Sequence, residues 1–142
     1  MKILVDTPIW SLAFRRKKGS RDTRLSINLS EITELIREGR AAIIGPIRQE
    51  ILSGISEDAQ FEKLKEKLRA FEDLPITVDD YELAARFYNQ CRRNGIQGSQ
   101  VDFLICAVAN RHDIPIFTMD NDFNFYSKHL DISLHSPRIS IN

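Results

Sequence analysis

The chain has 142 residues, 42% hydrophobic and 28% charged, an ordinary globular composition at the commonest size for one domain. Lys and Arg total 20, as do Asp and Glu; zero net charge argues against blanket attachment to nucleic acid, leaves room for a local basic patch, and favours a partner or a dimer over a lone monomer. Two cysteines without CxxC spacing, Cys91 and Cys106, exclude a disulfide scaffold and a zinc finger, and no apolar run reaches bilayer length, so the expectation is a cytoplasmic protein with no membrane partner.

Lys2 to Asp6 is an apolar run ending in a carboxylate, which predicts a buried strand. Thr7 to Phe14 continues apolar as the start of a helix, and Arg15 to Arg21 (RRKKGSR) is a charged loop around Gly19. Ile32, Leu35 and Ile36 place a helix over 27–38, closed by Gly39. Ala41 to Ile44 is a second short strand. Pro46 suits the first position of a helix ending near Gly54.

Phe61, Leu64, Leu68 and Phe71 follow the spacing of an amphipathic helix. Leu74 to Val78 reads as a third strand. Asp79 or Asp80 then caps a helix whose apolar face is Leu83, Ala84, Phe87 and Cys91, ending at Gly95. Val101 to Ala109 is apolar nearly all round and predicts a helix buried on most sides. Ile114 to Thr118 is a fourth strand, and Ile132 to Leu134 is a candidate fifth. No repeat, low-complexity stretch or linker interrupts residues 1–142, so one domain is expected. Strands alternating with helices predict an α/β fold, a three-layer sandwich around a mainly parallel sheet of about five strands.

Parallel sheets of this kind bind ligands outside the carboxyl ends of their strands. Asp6 follows the first strand, and Asp120 and Asp122 follow the fourth. Each acid has a structural alternative. Asp6 suits a helix cap before Thr7-Pro8. Asp102 occupies the third position after Ser99 in capping-box form, although its helix is too apolar to solvate it freely. Glu50 flanks the stripe of Ile47 and Ile51 as a surface glutamate does. Asp120-Asn121-Asp122 suits an Asx turn. A calcium loop is excluded because Phe125 stands where glycine is required.

Taken together the acids are more specific. Several carboxylates at one sheet edge repel one another and call for a cation. Oxygen donors with no paired histidine or cysteine select Mg²⁺ or Mn²⁺ over zinc; His112, His129 and His135 show no ligand pairing. Such a site suits phosphodiester hydrolysis, because cations stabilise the charge that builds on phosphoryl oxygens.

The segments Ile3–Thr7, Gln49–Leu52, Val101–Ala107 and Phe117–Phe123 occur in the order and rough spacing of the PIN-domain family. Over essentially its whole length the chain resembles the VapC-type ribonuclease toxins of that family. The resemblance implies a Mg²⁺- or Mn²⁺-dependent endoribonuclease, a homodimer, a cognate antitoxin, and a tRNA or rRNA substrate. Carried over by position, Asp6, Glu50, Asp102 and Asp120 form the catalytic quartet, with Asp122 replacing or supplementing Asp120. Asp6, Asp102 and Asp120 would hold the metal, and the Thr7 and Thr118 hydroxyls would orient it or its water. The chain departs from the family pattern in the longer, more basic RRKKGSR loop and in Pro8.

Arg15, Arg16, Lys17, Lys18 and Arg21 are candidates for RNA phosphate contacts, against a solvated loop or an antitoxin surface. Trp10 and Phe14, four apart, read as packing residues, as do Tyr81 and Tyr88. The competing function is a non-catalytic PIN-like module that binds RNA or protein. A phosphoryl-transfer enzyme with an aspartyl nucleophile is disfavoured, because Pro8 stands where a second acid is wanted and Asp79-Asp80 is mid-chain.

Overall fold

The apolar run at the N-terminus forms strand β1 (Ile3–Val5), with all three residues buried, as a strand flanked on both edges and covered on both faces requires. The computed structural model describes residues 1–14 and 22–138; the basic residues Arg15, Arg16, Lys17, Lys18 and Arg21 lie outside them. After β1 come α1 (Thr7–Phe14), α2 (Thr23–Arg37), β2 (Ala41–Ala42), α3 (Gly45–Leu52) and α4 (Asp58–Leu68). The chain continues through α5 (Val78–Arg93), α6 (Gln100–His112), β3 (Ile116–Phe117) and α7 (Asp122–Ser127). The sheet order is β2-β1-β3 and both pairings are parallel. Leu4 pairs with Ala42 on one side and Ile116 on the other, and Val5 pairs with Phe117. That register puts Asp6 beside Thr118, just past the ends of β1 and β3.

Two expected strands shrink to single bridges. Leu74 to Val78 gives one parallel bridge, Ile43 to Asp73, with the Leu74 N–H donating to the Ile43 carbonyl at 2.9 Å. Pro75 then has no N–H to extend a ladder, and Val78 already belongs to α5. Ile132 to Leu134 likewise pairs only through Ile116 and Leu134. The architecture is still the α/β sandwich with a parallel sheet. Helix α2 packs on β2, α6 on β3, and α5 lies along α6.

The helix limits follow their caps. Helix α2 starts at Thr23, earlier than its apolar spacing indicates, because Asp22 accepts the Arg24 N–H at 2.9 Å. Helix α5 is capped by Thr77, not by Asp79 or Asp80. Asp80 stands at the third position and accepts the Thr77 N–H at 2.8 Å, completing a capping box. Its other oxygen lies 2.6 Å from Arg111 on α6, so the same carboxylate ties the two helices together. Helix α4 ends at Leu68, and Phe71 lies beyond it.

Trp10 is fully buried and packs edge-on against Phe71 at 4.8 Å between centroids, with Phe14 stacked on it at 6.0 Å and also edge-on to Phe71. Tyr88 packs against Phe103, whereas Tyr81 is largely exposed and leaves the core. Helix α6 is buried from Phe103 through Ala109, as its composition requires. Cys91 and Cys106 are free buried thiols. No helix among the described residues is long and apolar enough to cross a membrane.

Candidate active site

The carboxyl edge of the sheet is built around Asp6. Its side chain is 6% exposed. One oxygen accepts the Thr7 N–H at 2.8 Å and the other accepts the Thr118 hydroxyl at 2.8 Å. Asp6 stands just before α1, its carbonyl accepting the Trp10 N–H at 3.2 Å, but its side chain bonds only the first N–H of the helix and Thr118, so it does not act as the side-chain cap. Thr118 in turn accepts the Asp120 N–H at 3.0 Å, and Asp120 accepts the Asp122 N–H at 2.9 Å. A chain of short polar links thus runs from the end of β1 to the start of α7. The Thr7 hydroxyl is buried with no hydrogen-bond partner among the described residues.

Asp102 enters from the first turn of α6. Ser99 caps that helix, its hydroxyl accepting the Asp102 N–H at 3.0 Å. The Asp102 carboxylate accepts the Tyr126 hydroxyl of α7 at 2.8 Å. Tyr126 carries no signal in the sequence that marks it as a site residue; its place beside Asp102 arises only when α7 docks on α6. Gly98 makes room for it. A β-carbon there would stand 2.3 Å from the Tyr126 hydroxyl oxygen and 2.9 Å from the Phe103 ring, far inside van der Waals contact.

The electrostatics link these acids. Burial pushes Asp6 up from 3.8 to about 6, against the Thr118 and Thr7 hydrogen bonds, and the charges of Asp102 and Glu50 push it further. Burial also raises Asp102, with the Asp120 and Asp122 charges adding to it and the Tyr126 hydrogen bond opposing. Asp6, Glu50, Asp102, Asp120 and Asp122 therefore share one field. Glu50 itself is on the exposed side of α3 and Asp122 is exposed at the start of α7. Cys106 lies beneath the site, where burial first and the nearby acids next push its thiol up, so it stays protonated and inert.

Among the described residues no three His, Cys, Asp or Glu side chains already close around a metal position. The carboxylates are turned to hydrogen-bond donors instead. The donor chemistry nevertheless fits a hard dication: the ligands are oxygens, and Asp6 and Asp102 are both pushed up from the ordinary carboxylate value by burial and by neighbouring acids, a cost that a cation relieves. The three histidines stand apart. His135 contacts Glu31 at 2.6 Å, and His112 is exposed at the end of α6.

The PIN-domain family model matches residues 3–128. No curated protein matches the chain. Among solved structures, FitAcB from Neisseria gonorrhoeae is similar with a TM-score of 0.74 at 19% identity, covering 95% of this chain and 97% of that one. VapBC2 from Rickettsia felis, bound to a DNA fragment from its promoter, gives a TM-score of 0.70 at 16% identity, covering 95% and 98%. VapBC-5 from Mycobacterium tuberculosis, a member of the VapBC family of toxin–antitoxin systems, gives 0.62 at 22% identity, covering 94% and 96%. These identities speak to the shared fold alone. With the family model running from β1 through the end of α7, the chain belongs to the PIN-domain family.

Proposed function

We propose that the protein is a Mg²⁺- or Mn²⁺-dependent endoribonuclease and the VapC-type toxin of a toxin–antitoxin pair, working in the cytoplasm as a homodimer. The observation that carries the catalytic reading is the pair Asp6 and Asp102. Two carboxylates from different elements meet at one sheet edge, Asp6 buried and Asp102 partly buried, each raised by desolvation and by neighbouring acids. A purely structural role gives no return for that repulsion, whereas a dication does. The toxin reading draws support from a neighbour of the same fold, VapBC-5, whose family is one of toxin–antitoxin systems.

Asp6, Asp102 and Asp120 would hold the metal, with Asp122 beside Asp120 and Glu50 binding the ion or placing the attacking water. A bound divalent cation supplies water activation and neutralises charge on the phosphoryl oxygens. Thr118 fixes the Asp6 carboxylate and Tyr126 fixes that of Asp102, so both are oriented before the substrate arrives. Water attacks phosphorus in line, the bond to the 3′ oxygen breaks, and that oxygen leaves with a proton. The products are a 5′-phosphate and a 3′-hydroxyl.

The test is Mn²⁺ titration calorimetry on the wild type and Asp102→Asn, paired with cleavage of end-labelled tRNA and rRNA. Wild-type binding and cleavage that both vanish in Asp102→Asn support the proposal. Cyclic-phosphate products, or full cleavage in excess EDTA, overturn the mechanism. RNA or antitoxin binding with neither metal binding nor cleavage returns the protein to a non-catalytic binding module. Growth arrest on expression, relieved by a small upstream-encoded partner, tests the toxin assignment.

A further inference from the structure

A cavity of about 620 Å³ opens beside the acidic edge. It lies between the first turns of α2, the end of β3 and the C-terminal segment. Its walls include Arg24, Ile27, Asn28, Thr118, His135 and Pro137. Thr118 joins it to the site, because this lining residue donates its hydroxyl to Asp6.

The feature that needs explaining is Asn28. It is 6% exposed, lines the cavity, and its side-chain amide has no hydrogen-bond partner among the described residues. The amide is not sealed from solvent: it meets the cavity, where a ligand can use its donor and its acceptor, whereas Ile32 and Leu35, one and two turns on along the same helix, are fully buried apolar residues. Around it the chemistry is mixed. Ile27 and Pro137 supply apolar wall. The Arg24 guanidinium is held at the rim by donating to the Met119 carbonyl at 2.8 Å and keeps further N–H donors. The His135 ring is fixed edge-on against Phe117 and by Glu31.

We propose that this cavity is a nucleobase subsite, in which the Asn28 amide reads the polar edge of one base flanking the scissile phosphodiester. The inference rests on the nuclease reading and extends it from chemistry to specificity. An amide offers a donor and an acceptor side by side, which is the pattern a base edge presents. Apolar walls accept the flat base, and the arginine at the rim suits the adjoining phosphate. Single-stranded RNA is read in this way, with a base turned out of the stack into a pocket. The Thr118 link places that base next to the acids, so a preference here acts on the bond being cut.

The test compares wild type with Asn28→Ala and the near-isosteric Asn28→Leu, each checked for native circular dichroism. Cleavage of a randomised single-stranded RNA pool is read by sequencing the ends. The expected result is a preference of about tenfold or more for one base at a fixed position beside the cut, which falls to near unity in both variants while cutting at disfavoured sites persists. An unchanged preference in two folded variants overturns the subsite. In parallel, the four nucleoside 5′-monophosphates are titrated into wild type without metal, with inorganic phosphate as the control. Saturable base-dependent binding lost in Asn28→Leu supports the subsite even if no RNA is cut, in which case only the nuclease reading fails. Equal competition by inorganic phosphate shows an anion at Arg24 and overturns the base reading. Loss of antitoxin binding in Asn28→Leu with unaltered cleavage preference assigns the cavity to the protein partner and also overturns it.

Discussion

The strain held at Asp6 gives a prediction that needs no substrate. Asp6 binds its proton more tightly in the folded chain, at about 6, than its ordinary value of 3.8. Its contribution to stability is therefore fully present below the unfolded value and is lost as pH rises through about 6. The gap between the two values corresponds to about 3 kcal/mol. Asp6→Asn keeps the shape and an acceptor for the Thr7 N–H while removing the charge. In EDTA at about pH 8, Asp6→Asn is expected to be more stable than wild type by about 3 kcal/mol, or roughly 8–12 °C in Tm for a chain of this size. Well below pH 3.8 the two should coincide. Adding Mn²⁺ should raise the wild-type Tm and leave the variant unmoved. Thermal unfolding followed by circular dichroism across this range decides it. A variant less stable than wild type at high pH, or a difference that does not change with pH, would refute the claim that Asp6 is a desolvated, repelled carboxylate.

Three further outcomes follow from the same geometry, and a fourth from the sequence. Tyr126→Phe removes the hydrogen bond that holds Asp102 down, so the pH at which Mn²⁺ binding or cleavage develops should move upward, read from a pH series of calorimetric titrations. Gly98→Ala drives a β-carbon into the Tyr126 hydroxyl and should cost about 1–3 kcal/mol in urea unfolding; Gly98→Ala combined with Tyr126→Phe should recover part of that loss. Glu31 is fully buried and accepts from His135 at 2.6 Å and from the Arg138 N–H at 3.0 Å, with its carboxyl held below the ordinary range by those partners despite burial. Glu31→Gln should destabilise by roughly 2–3 kcal/mol at neutral pH, and because the folded value is lowered, the loss should fade as pH falls through the range where wild-type Glu31 protonates. Neutralising Arg15, Arg16 and Lys17 should weaken RNA binding and flatten its salt dependence; binding unchanged across salt removes the phosphate-contact reading.

The legibility of the sequence divides along physical lines. Asp6 was readable because a parallel strand ends where its side chain emerges, and Asp102 because Ser99 and an all-round apolar helix bracket it. Helix spans were readable wherever one face is buried, as in α5 with Ala84, Phe87 and Cys91. The start of α2 was hidden, because its signal was the cap at Asp22 and not a repeating apolar spacing. The strand expected at Leu74 to Val78 failed for a related reason. An apolar run shows burial, but hydrogen bonding decides strand length, and Pro75 and the Thr77 cap stop it.

Tyr126, Gly98 and Asn28 lay beyond sequence reasoning altogether. Each draws its meaning from a neighbour far away in the chain: Tyr126 from Asp102, Gly98 from the Tyr126 ring, Asn28 from a cavity shared with β3 and the C-terminal segment. What the sequence determined by itself was the alternation of elements and the acids at strand and helix ends, since local periodicity and capping act over a few residues and need no partner. What only the tertiary structure decided was which acids share a field, which is oriented by a tyrosine, and where an unpaired amide opens. Those depend on burial and on through-space contact, and neither is set until the sheet has paired and the helices have closed over it.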